Sequence, residues 1–151
     1  MFLGQLLAFA RSPQLQLVAP TIPCWIALLR ETQLQAEGKK SNTGVTLPPD
    51  AKLPDDSRQA LLEIASVHMM TLGDKGAVLL GPEMVDVPDG FDTLREFTEF
   101  WVMLRSRLLE MIKHVSFQAP LVAARASAWS VSQTIAGVSA LGETAASAVS
   151  S

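Results

Sequence analysis

Two histidines, one cysteine and a glycine-flanked lysine are the residues whose types could do chemistry here. His68 lies in an apolar run, Ala60 to Met70, where a histidine is expected to be hydrogen-bonded core. His114 follows Lys113 at an expected helix end, where a cation meets the negative end of the helix dipole. Cys24 has no second cysteine to pair with, and it cannot complete a zinc site with two distant histidines. This fits a reducing compartment. Gly73-Asp74-Lys75-Gly76 lacks the spacing and the Lys-Ser/Thr ending of a phosphate loop and reads as a turn. No carboxylate pair shares a face with a histidine or serine, and there is no nucleophile elbow or dinucleotide fingerprint. The chain is therefore expected to be non-enzymatic, with no catalytic residue, cofactor or metal.

Charge points the same way. Of 151 residues, 18% are charged and 48% apolar, with a net charge of -3. Average soluble chains carry about 25% charged residues. Mean hydropathy is +0.26 and the pI is near 5.3. Nothing supplies the basic excess that duplex binding needs. Arg95, Arg105 and Arg107 could grip phosphate, but each has a glutamate nearby and surface pairing is the expected use. The surplus apolar surface must be hidden in a membrane or against protein.

The elements come next. Residues 2 to 11 read as a short apolar helix. Ser12-Pro13 looks like an N-cap and first helical position. After Pro20 and Pro23, Cys24 to Ala36 reads as a helix with Trp25, Leu28 and Leu29 on one face, stopped at Gly38. Residues 38–56 hold two Gly and three Pro and read as a 19-residue loop, either mobile or laid on a partner. Asp56, with Gln59 three positions on, approximates a capping box for a buried helix that Gly73 would end. Residues 77–87 form either a minimal β-hairpin around Gly81-Pro82 or an irregular connector. From Phe91 or Asp92 a strong helix begins. Its seam is Leu94, Phe97, Trp101, Leu104, Leu108, Met111 and Val115, spaced alternately three and four apart. Arg95 and Glu99 can pair across one turn.

Pro120 breaks that helix. Leu121 to about Val149 carries a second seam of mostly small residues: Ala124, Ala128, Val131, Ile135, Val138, Gly142, Ala145 and Val149. Small seam residues let helices approach closely. Ala126 to Gly142 holds no charge. A membrane span needs about 20 predominantly apolar residues; this stretch has 17, with four serines, a threonine and a glutamine among them. The remaining readings are a disordered tail and a helix covered by other chains, and the regular seam favours the second.

The expected architecture is all-α: a bundle of 4–5 helices in one domain. It divides into N-terminal helices (1–37), a loop (38–56), core helices (57–120) and an Ala/Ser-rich helix (121–151). The run DTLREFTEFWVMLRSRLLEMIKHV, with the length and acidic balance, resembles in texture the long bundle helix of helical virus coat subunits. That resemblance carries no motif and no residue role. The functional expectation is a structural or assembly subunit, self-associating or in a hetero-complex, with a viral coat or virion component as one form. A membrane-associated component and a helical adaptor or chaperone, its groove lined by Met69, Met70, Met103 and Met111, are the alternatives. Met1 to Ala10 ends Ala8-Phe9-Ala10 like a cleavage site, but no basic residue precedes its short apolar run. An intracellular or virion location is therefore expected over secretion.

Overall fold

The computed structural model describes residues 2–39, 53–79, 87 and 90–149; for residues 2, 71–79, 134 and 136–149 it describes the backbone alone. Within these residues six helices follow one another and there is no strand: α1 (Phe2–Ala10), α2 (Leu15–Val18), α3 (Thr21–Ala36), α4 (Asp55–Leu79), α5 (Leu94–Gln118) and α6 (Pro120–Val149). The all-α expectation holds.

The apolar stripe of α5 places it at the centre, packed against α3, α4 and α6. Phe97, Leu104, Leu108, Met111 and Val115 are fully enclosed. Leu94 is exposed and Trp101 half-buried, so the core-facing stripe does not take in the whole seam. Val102 and Leu109 look outward among charged residues, as isolated apolar surface residues commonly do. The N-terminus of α5 is firmly closed. Thr93 accepts a hydrogen bond from the Glu96 N–H at 3.1 Å, and the Glu96 carboxylate accepts from the Asp92 N–H at 3.1 Å, an outlying form of the capping box. Phe91, three residues before the helix, stacks edge-on against Phe97 (5.1 Å) and tilted against Phe100 (5.0 Å), which fixes the angle of entry. Gly90 precedes it at φ 90°, a conformation L side chains rarely adopt; a Cβ there would also run into the Gln16 side chain.

Helix α3 starts at Thr21, earlier than its prolines suggest. Pro23 occupies the third helical position, where the missing N–H has no intrahelical partner to lose. Ile22, Trp25, Ile26 and Leu29 face the core, with Trp25 wholly enclosed and its indole N–H without a partner among the described residues. Gly38 ends the helix at φ 67°: the Gly38 N–H donates to Gln35 O and the Lys39 N–H to Leu34 O, the paired bonds of a Schellman motif. Beside it, hydrogen bonds from Lys39 and Gln33 and the lysine charge hold the Glu37 carboxyl below its ordinary range.

Several boundaries differ from the sequence reading. Ser12 accepts from the Gln14 N–H at 3.1 Å and so closes a turn, while α2 begins only at Leu15. The segment 38–56 is not all loop. Leu53 is buried in the core and α4 begins at Asp55, where Arg58 pairs with Asp55 at 2.9 Å; residues 40–52 lie outside the described residues. Gly73 does not stop α4, which runs on through Gly76 to Leu79. The proposed hairpin is corrected accordingly: residues 77–79 are helical, and most of the rest of 77–87 lies outside the described residues. A single glycine costs a helix about 1 kcal/mol, too little to end one. His114 is not terminal either, since α5 continues to Gln118.

The α5–α6 junction is a single residue. Pro120 disfavours the helical region for the residue before it, and Ala119 takes φ −142°, ψ 70°. Pro120 then opens α6 at the position proline favours. Val122 and Ala126 turn inward from α6, with Ala123 packed at their edge.

Leu108→Ala is expected to cost about 2–5 kcal/mol. Val102→Ala, on the outer side of the same helix, is expected to stay within about 0.5 kcal/mol. Urea unfolding of the two variants decides it: equal losses would contradict the assignment of the inner face.

Candidate functional site

Polar side chains that cross between helices mark the places where this fold is specified. His68 is buried on α4, and its Nε2 lies 2.8 Å from the Ala10 carbonyl at the end of α1. A carbonyl only accepts, so Nε2 carries the proton in this contact. The last carbonyls of a helix have no intrahelical donor, and His68 supplies one for α1. The expectation of a hydrogen-bonded core histidine describes this arrangement, but the partner, 58 positions away, was not legible in the sequence. A second clasp joins α3 to α5. Gln118 Nε2 donates to the Leu29 carbonyl at 2.6 Å, and the Thr32 hydroxyl donates to the same oxygen at 2.9 Å. Sequence reasoning missed Gln118 entirely, because nothing local marks it.

Beside His68 a cavity of about 220 Å³ opens between the end of α1, α4 and α6. Arg11, Ala60, Glu63, Ile64, Val67, His68 and Trp129 line it. Ile64 and Ala60 form buried wall, Val67 lies half-exposed at the rim, and Trp129 reaches in from α6. Glu63 is held by Gln59, whose Nε2 donates to it at 2.8 Å. Arg11 has no ion pair or side-chain hydrogen bond among the described residues.

The three arginines considered for phosphate are otherwise engaged. Arg95 pairs with Glu99 at 2.9 Å, Arg107 approaches Glu110 at 3.9 Å, and Arg105 lies over the Trp101 ring at 5.9 Å. Cys24 is exposed. Among the described residues no three His, Cys, Asp or Glu side chains gather as metal ligands, and no helix is long and apolar enough to cross a membrane.

On α6 the small-residue seam faces away from the chain's own core. Ala124, Ala128, Val131 and Ile135 are exposed, the last two at 59% and 61%. The inward stripe is instead Val122, Ala126 and the half-buried Trp129. Val138, Gly142, Ala145 and Val149 belong to the helix, but their side chains lie outside the described residues. The structure thus brings Trp129 to His68 and Arg11, a grouping no spacing in the sequence announced.

The Exportin-5 family model matches residues 1–146, from α1 through nearly all of α6. The chain belongs to the Exportin-5 family. No curated protein matches it, and no solved structure does. Membership overturns the expected function. The exportin-family chain is not the structural assembly subunit, viral coat or virion component that its texture resembles, nor the membrane component or adaptor kept as alternatives. Long amphipathic helices meet the same packing demand in both settings, which is why texture misled.

His68→Ala is expected to leave the Ala10 carbonyl unsatisfied at a cost of about 1–3 kcal/mol. Amide hydrogen exchange should show α1 losing protection before α3 and α5. Unchanged protection of α1 would refute a capping role.

Proposed function

We propose that this exportin-family chain is a non-enzymatic, transport-related segment built of helical repeats, which offers surface to cargo or to transport factors. The family match across 146 of 151 residues carries the reading. The architecture is in keeping with it. In helical-repeat proteins each pair of helices packs mainly on its neighbours and the array leaves long faces for partners. Here α5 packs on α3, α4 and α6 in turn, and α6 extends a face of Ala124, Ala128, Val131 and Ile135 outward. The general expectation of protein partners stands on this footing, whereas nothing favours self-association or a grip on nucleic acid by Arg95, Arg105 and Arg107, each already engaged.

Permeabilised cells supply the test. Fluorescently labelled chain should collect at the nuclear envelope above an inert helical protein of equal mass, and unlabelled transport factors in excess should displace it. A distribution matching the inert control with and without competitor would contradict the proposal.

A further inference from the structure

The cavity beside His68 has a size and a charge pattern that point to one kind of occupant. One water needs roughly 10–15 Å³ of such space, so about 220 Å³ exceeds a few waters. It is smaller than the roughly 300–1,000 Å³ of pockets that hold cofactors or drug-sized ligands. One large apolar side chain fits the space. The walls agree: Ile64, Ala60 and Val67 are apolar and Trp129 is aromatic, while the Nε2 of His68 is committed to Ala10.

The polar groups then give the occupant a direction. Arg11 lines the cavity from the end of α1 with no partner among the described residues, and a guanidinium in that state suits a carboxylate. Glu63 lines it from α4, fixed by Gln59, and repels acid from that side. The chain as a whole carries a net charge of -3 and disfavours acidic ligands. Any preference for acid must therefore come from Arg11 locally. We infer that this cavity is a docking pocket for a partner protein segment in which one large apolar side chain, of phenylalanine size, is followed by a carboxylate that meets Arg11. Anchoring by a single buried side chain in a desolvated pocket is how a few residues come to dominate an interface. The pocket's chemistry stands apart from the transport reading, and the test involves no transport.

Two synthetic peptides probe it: acetyl-Ala-Phe-Glu-Glu-amide and acetyl-Ala-Phe-Lys-Lys-amide, titrated into the whole chain with phenylacetate as a third ligand. The chain has three tryptophans, so the indole N–H signals in nitrogen-15 spectra separate Trp129 from Trp25 and Trp101. The acidic peptide should shift Trp129 selectively and bind about tenfold more tightly than the basic one, a difference near 1.4 kcal/mol. Arg11→Glu, a change at an exposed residue, should reverse that order while leaving the Trp25 signal in place. Ala60→Leu, which fills the cavity, should weaken both peptides. Equal binding of the two peptides, or no shift of Trp129 at millimolar concentration, would overturn the assignment. Phenylacetate binding as tightly as the acidic peptide would overturn the protein segment as occupant.

Discussion

Enclosure of α5 on three sides is the constraint from which the remaining structure follows. A helix whose Phe97, Leu104, Leu108, Met111 and Val115 are all withdrawn from water must have neighbours along much of its length, and α3, α4 and α6 are those neighbours. Interiors pack as densely as organic crystals, so each neighbour must present side chains that fill the gaps: Ile22, Trp25 and Leu29 from α3, Leu61, Ile64 and Ala65 from α4, Val122 and Ala126 from α6. Helices α1 and α2 add Ala10, Leu15 and Val18 to the same core.

Apolar area is non-directional, and by itself it would allow these helices to slide or rotate against one another. The directional terms are few and they sit at helix ends. His68 holds the end of α1, Gln118 and Thr32 bind the end of α5 to α3, and Gln16 donates to the Gly90 carbonyl at 3.3 Å ahead of α5. Helix ends carry the unsatisfied backbone groups, so a polar side chain placed there both stabilises and selects one register. The surface ion pairs contribute differently. Arg95–Glu99 is well exposed on both sides, and such pairs are worth at most about 1 kcal/mol.

The candidate pocket arises from the same geometry. It lies where α1 ends against α4 and α6 packs on the same helix. It is bordered by Arg11, Glu63 and Trp129, drawn from three separate stretches of chain.

The seven-residue rhythm of 94–115, the stop at Gly38 and the break at Pro120 were legible in the amino-acid sequence, because each rests on local physics: side-chain spacing, a left-handed glycine and the sterics before proline. Gly73 was misread because a weak helix breaker yields when the chain around it stays helical. The seam of α6 was visible as a pattern, yet nothing in the pattern said which side would face inward; packing on α4 and α5 chose Val122, Ala126 and Trp129. The Ala10–His68 and Leu29–Gln118 contacts and the cavity beside them were decided by tertiary structure alone. They join residues 58 and 89 positions apart, and no local preference carries information across such a distance until the helices have packed.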